Sequence, residues 1–455
     1  MDAARIELQT VNRPKRLSSL KFFLRYPIFL LAFGPPVFKS AVGGDTSQAH
    51  FDIWNIIQVG WISLVALRAI VRLASAGSVS IPRQARSILK YPILIGILFL
   101  ISVTYSPGRI ISAEYTFLYF LSVICLIEFV SDAYRDPPDW MQCMFQLRQV
   151  ALVLVAIVLA TLPLAPSLVM QQVQGAGIRL LGGMVASMSF YPEIIAIISA
   201  YTFLYSLESR VRSAVLFLIG LACSLAAQSR GVEISLFIVL LVLAVGRAKM
   251  GRRSSYLLFS GFVAVLLIAG VALAAVGPER MWNAFNRGQD LEGILTASGR
   301  TGVWADEIAY CVSHPQGMGY IAGVRTFRRS DYSTNLHAAL TNIGGTDSSY
   351  IQVLVDGGWL GIAFYLIMIT KTIVLGRRFS RERSAATLAP EGLVYHPLRC
   401  ALFVLMFCLI EGIESPVYVL PLFGSFYSQN IVIAIILGAC GTAIAAFRPR
   451  YNAIR

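Results

Sequence analysis

The 455-residue chain is 56% hydrophobic and only 14% charged, with a mean hydropathy of +0.69, where a soluble domain carries about 25% charged residues. That composition excludes a string of soluble domains and excludes disorder, and apolar runs long enough to cross a bilayer mark a multi-pass membrane protein. The excess of 38 Lys and Arg over 24 Asp and Glu is not a nucleic-acid signal, because no stripe of interleaved Arg and aromatic residues marks such a face.

In chain order, the basic stretch from Met1 to Lys21 has no cleavage site after a short apolar core and reads as a cytoplasmic tail. Apolar stretches then place spans near 24–41, 53–73, 90–106, 110–131, 148–166, 184–206, 212–228, 231–247, 255–277, 350–374, 398–415 and 427–447. Pro35-Pro36 interrupts the first and Pro192 the sixth. The expectation is an all-α, polytopic bundle of about twelve transmembrane helices, with both termini in the cytoplasm. It divides into nine spans over 1–276, a large, partly helical periplasmic cap loop over 277–349, and three spans over 350–455. On this topology 28 of the 38 positive residues lie inside, so the basic excess reports orientation. Most of the seven cysteines fall inside spans, where Cys acts as a small hydrophobe, and no CxxC pair or clustered His suggests a metal site.

The loop between the ninth and tenth spans holds the local signals. Ser298-Gly299-Arg300-Thr301 opens a predicted helix, and Trp304, Ile308, Cys311 and Val312 recur at the spacing of one buried face. His314-Pro315 stops the helix, and Gly317 and Gly319 mark a turn. Trp282, Trp304, Tyr320, Phe327 and Tyr332 are candidates to stack on sugar rings. His314 is expected to be structural.

From Ser298 to Gly361 the chain resembles the O-antigen ligase/polymerase family of bacterial inner-membrane glycosyltransfer enzymes. The resemblance rests on Ser298-Gly299-Arg300-Thr301, Trp304, His314-Pro315, Gly317-x-Gly319, Ser349-Tyr350-Ile351-Gln352 and Asp356-Gly357-Gly358-Trp359-Leu360-Gly361. Arg179-Leu180-Leu181-Gly182 and Ser229-Arg230-Gly231 are two further local matches. The resemblance implies transfer of a glycan from undecaprenyl pyrophosphate to a sugar hydroxyl at the periplasmic face, with no cofactor and no metal. The acceptor is a second lipid-linked repeat unit in a polymerase, or lipid A-core in a ligase. The implied partners are these lipid-linked donor and acceptor glycans, the bilayer, and a chain-length regulator protein.

A departing lipid pyrophosphate gathers negative charge, which fixed guanidinium groups stabilise. Arg179 and Arg300 are the first choices for that clamp, with Arg230 supporting and Arg328 and Arg329, beside Arg325, as guides for an anionic substrate. The acceptor hydroxyl needs a base. Ligases of this family usually carry a His before the Ser-Tyr segment, where this chain has Asp347; Asp347 is therefore the candidate base and His337 its stand-in. Glu193, inside the sixth span, is a second acidic candidate, and Trp304 and Tyr350 complete the binding set. The Asp in place of His favours a polymerase over a ligase. A flippase or other transporter is the reading from a different class, since Pro-broken spans and the in-span carboxylates Glu193 and Asp356 also suit one.

Overall fold

A computed structural model describes residues 17–33, 53–77, 79–106, 109–173, 177–180, 188, 190–227, 229–248, 300–320, 348–381, 395–414 and 431–441. The described backbone is helical apart from one small hairpin. Helix α1 (Ser19–Arg25) leads into a 3-10 segment (Pro27–Phe33), followed by α2 (Ile53–Ser75), α3 (Arg83–Ser102), α4 (Arg109–Arg135) and α5 (Trp140–Thr161). A single turn, α6 (Pro166–Val169), precedes strands β1 (Met170–Val173) and β2 (Gly177–Leu180). Then come α7 (Tyr191–Tyr205), α8 (Arg210–Ala227), α9 (Arg230–Ala248), α10 (Arg300–Ser313), α11 (Ser349–Arg381), α12 (Tyr395–Glu414) and α13 (Ile431–Gly441).

Among the described residues six helices are long and apolar enough to cross a membrane: α3, α4, α5, α8, α11 and α12. Their outward faces carry large apolar side chains such as Leu100, Phe117, Leu218 and Leu360, which suits a surface bathed in lipid. The first expected span needs correction. In its described part the α-helix stops at Arg25 and the chain continues as a 3-10 helix. Pro27 is the cause, since it has no N–H to give and its ring crowds the carbonyl four residues back. The ninth expected span, 255–277, lies outside the described residues.

Helix starts follow local chemistry. Asp139 caps α5, its carboxylate accepting from the Met141 and Gln142 amides at 3.0 and 3.3 Å. Pro192 stands at the first turn of α7, and Ser206 closes that helix in the left-handed conformation, φ 52°.

Neighbouring helices run antiparallel. Lys371 Nζ lies 3.1 Å from the Tyr91 hydroxyl while Gly357 meets Phe99, so α3 and α11 point opposite ways. Helices α11 and α12 do likewise: the Tyr350 hydroxyl donates to Leu409 O at 2.8 Å, and Gly412 rests on Ser349. A Cβ on Gly220 would fall 2.6 Å from Pro192 O, so α7 and α8 meet backbone to backbone. The bundle thus has two distinct ends. Ser102, Gly358 and Gly412 define one, called the cap end below.

Charged pairs bind the far end. Arg72 bridges Glu128 at 2.9 Å and Asp132 at 2.8 Å, and Arg25 reaches Asp132 and Asp136, joining α1, α2 and α4. Arg148 on α5 grips Glu208, in the α7–α8 connection, through both terminal nitrogens. Burial opposes ionisation of Glu208, but the Arg148 guanidinium and the Thr202 and Ser213 hydroxyls, at 2.9 and 3.0 Å, overcome it and hold the carboxyl at about 2. Because the folded value lies below the unfolded one of about 4.3, Glu208 stabilises the fold above that pH and the contribution fades as pH falls toward 2. Thermal melts of the purified protein should therefore show Glu208→Gln well below wild type at pH 6, with the gap closing near pH 2.5. A gap of constant size would refute the pairing. Arg148→Ala, which strands the carboxylate, should cost about 3–5 kcal/mol at neutral pH.

Candidate functional site

Two sequence signatures more than forty positions apart form one interlocked unit. Helix α10 stops at His314-Pro315, and the chain then turns through Gly317 and Gly319, at φ +77° and +105°. Opposite, Gly358 breaks the helical path of α11 with φ 66° and ψ −168°. The turn fills that break: the Trp359 amide donates to Pro315 O at 3.1 Å, and the Met318 amide donates to Val355 O at 2.7 Å. The Trp359 indole N–H donates to Cys311 O at 3.0 Å, fastening the end of α10 to the kink. A Cβ on Gly317 would lie 2.6 Å from Val355 O, and one on Gly358 2.2 Å from Pro315 O, so both glycines are needed for backbone to lie on backbone.

The α3–α4 corner closes the unit from the other side. Tyr105 donates to Gln316 O at 2.9 Å, Ser102 Oγ accepts the Tyr320 amide at 3.2 Å, and Ser112 Oγ donates to Tyr320 O at 2.8 Å. The Tyr320 ring stacks on Phe99 with centroids 3.8 Å apart and is fully buried. Tyr320 is therefore a packing residue, not a sugar platform, which corrects the sequence expectation. Sequence reasoning missed this corner altogether, since lone Ser and Tyr residues at a span end carry no motif.

The buried face of α10 also differs from expectation. Cys311 and Glu307 are buried and Trp304 half-buried, whereas Ile308 is exposed and Val312 is 69% exposed. Reading apolar periodicity as burial assumes water outside; a helix beside a bilayer can turn apolar residues outward. His314 is exposed and stacked on Tyr310 at 4.1 Å.

Acidic side chains are buried toward the same end. Asp356, one turn into the docked region, accepts from Gln352 Nε2 at 2.7 Å. Glu193 is completely buried in the first turn of α7, beside Ser224 of α8, and Glu411 is buried on α12. Among the described residues no cluster of three or more His, Cys, Asp or Glu is placed to hold a metal ion.

The connectivity brings several candidates to the cap end. Helix α5 leads through the hairpin, where Arg179 on β2 pairs with Gln171 on β1, into the first turn of α7 with Glu193. The hairpin is an addition to the helical reading, and β2 packs on α8. Arg230 opens α9 right after α8, and the other end of α9 lies by Arg399, because a Cβ on Gly246 would be 4.0 Å from its guanidinium. Arg300 opens α10. Tyr350 sits on α11 with its hydroxyl committed to Leu409 O, so it ties two helices together. Asp347, His337, Arg328 and Arg329 lie outside the described residues.

Residues 214–366 match the family model described as O-antigen ligase. That match supports assignment to the O-antigen ligase/polymerase family, whose members are glycosyltransferase-like enzymes. The matched segment runs from α8 through α11 up to Leu366 and contains both the 315–319 turn and the kink at Gly358. It includes Arg230, Arg300, Trp304, His337, Asp347 and Tyr350, and leaves Arg179 and Glu193 outside. A search of curated proteins finds no match.

Proposed function

We propose that the chain is a polymerase that joins oligosaccharide repeat units carried on undecaprenyl pyrophosphate, at the periplasmic face of the bacterial inner membrane, in the making of an exopolysaccharide or O-antigen. The observation that carries this reading is the O-antigen ligase match over 214–366, together with the docking of its His-Pro-x-Gly turn onto the kink at Gly358. In this reading the pyrophosphate of the donor meets Arg179 and Arg300 under the cap, with Arg230 in support. Asp347 takes the proton of the acceptor hydroxyl as its oxygen attacks the anomeric carbon. The bond from that carbon to the pyrophosphate breaks, undecaprenyl pyrophosphate leaves with the electron pair, and the anomeric configuration inverts. Ser348 donates to Gly412 O at 3.4 Å and so ties the start of α11 to α12. Neither a metal nor a nucleotide sugar enters this scheme.

The printed description of the matched family favours a second reading, a ligase that moves the finished glycan to lipid A-core. Asp347 in the place where ligases resembling this chain carry His is the reason to prefer the polymerase. The polysaccharide of a strain lacking this chain decides between them. The polymerase reading expects single repeat units in place of the ladder of long chains, with the ladder restored by the wild-type gene. Long chains retained on the undecaprenyl carrier would establish the ligase, and a carrier-linked repeat unit confined to the cytoplasmic leaflet would establish a transporter.

A further inference from the structure

From the end of the bundle opposite the cap, a groove of about 530 Å³ runs between α9, α11 and α12 toward the cap end. Its two parts differ in chemistry. The mouth is lined by Arg377 and Ser380 of α11 and by Arg399 and Tyr395 in the first turns of α12. Arg399 Nη1 donates to the Tyr395 hydroxyl at 2.5 Å and its guanidinium carbon stands 5.3 Å from the centre of that ring, so the charge is held in a set position. No acidic side chain is among the described residues that line the groove. The wall beyond is apolar, formed by Ile373 on α11 and by Phe403, Met406 and Leu409 on α12.

From Tyr395 to Leu409 the groove follows α12 for roughly 20 Å at a helical rise of 1.5 Å per residue, more than one leaflet of a hydrocarbon core about 30 Å thick. A cationic mouth above a long apolar wall is complementary to one kind of molecule, an anionic headgroup with an acyl chain. Guanidinium pairs hold phosphate oxygens through parallel N–H donors, and basic pockets between membrane helices select anionic lipids. In the flanking sequence the basic Lys249, Arg252, Arg253, Arg378, Arg381 and Arg383 outnumber the acidic Glu382 and Glu391.

We propose that this groove binds an anionic glycerophospholipid, its phosphate between Arg377 and Arg399 and one acyl chain laid along Phe403, Met406 and Leu409. The site is separate from the one that handles the lipid-linked donor, which lies at the cap end, and it holds whether the enzyme is a polymerase or a ligase.

The test uses the full chain, purified in detergent, stripped of lipid and titrated with phosphatidylglycerol, phosphatidylcholine or glycerol 3-phosphate, with bound lipid counted by native mass spectrometry. Phosphatidylglycerol should bind at least fivefold more tightly than phosphatidylcholine and raise the melting temperature. The preference should vanish in R377Q/R399Q. In Met406→Trp, which narrows the apolar wall and leaves both arginines, affinity for phosphatidylglycerol should fall while the arginines stay in place. Lipid-free melting and gel-filtration profiles show whether each variant folds, and either one that folds suffices. Equal binding of the two lipids would overturn the proposal, as would undiminished binding in a folded variant. Displacement of the lipid by glycerol 3-phosphate alone would reduce the groove to a simple anion site. Failure of the wild type to retain any lipid would mean that the chain's own residues fill it.

Discussion

Gly358→Ala should destabilise the protein by at least about 3 kcal/mol and abolish glycan transfer. Two costs combine at this position. A residue with φ 66° and ψ −168° occupies a region essentially reserved for glycine, where a side chain costs about 1–3 kcal/mol. The added methyl would also stand 2.2 Å from the Pro315 carbonyl oxygen, a backbone atom that cannot turn aside as a flexible side chain would. Either α11 straightens or the 315–318 turn lifts away, and the latter gives up the bonds from the Trp359 and Met318 amides. Trp359→Phe is the natural comparison. It removes only the indole bond to Cys311 O and should cost about 1 kcal/mol, leaving most of the activity. Thermal melts in detergent and the polysaccharide ladder of complemented strains read both effects. A Gly358→Ala protein that melts with wild type would show that the turn does not dock on the kink.

The parts of this architecture written in punctuation residues were legible in the sequence. The stop of α10 at His314-Pro315 and the turn at Gly317 and Gly319 stand where Pro and Gly place them, and the short α8–α9 connection at 228–229 falls between two expected apolar spans. The docking of the Gly317 turn onto Gly358 was not legible, since nothing in either segment says what its backbone will touch. The same holds for Arg148 with Glu208, sixty positions apart, and for the Ser102, Tyr105 and Ser112 corner, each a single polar residue at a helix end. The face of α10 was misread for a different reason, because Ile308 and Val312 obey a rule written for water. Strands β1 and β2 escaped notice because apolar length, the signal for spans, says nothing about the eight paired residues between two of them. Of the candidate site, Arg179 stands on β2, Glu193 in the first turn of α7 and Arg230 at the start of α9, and no pattern in the sequence states how near to one another these positions lie.

With Arg179 and Arg300 as the proposed pyrophosphate clamp, Arg179→Ala and Arg300→Ala should each lower transfer by about 10²–10³, the usual loss when a fixed donor to developing negative charge is removed. Lysine at either position should restore only part of the activity, because an ammonium cannot offer the paired, planar donors that a guanidinium gives to phosphate. The double variant carries the sharper information. Two arginines acting on one leaving group are not independent, so the combined loss should fall well short of the product of the single losses. Fully multiplicative losses would place them on separate groups, one on the donor and the other on the acceptor or on the cap itself. Asp347→Asn should reduce turnover with little change in the apparent affinity for the lipid-linked donor, since a base acts only as the hydroxyl gives up its proton. Each variant has to reach the membrane at wild-type level for the comparison to bear on chemistry. Full-length polymer from Arg179→Ala and Arg300→Ala strains would remove both residues from the clamp and leave Arg230 as the cation to test at that end of the bundle.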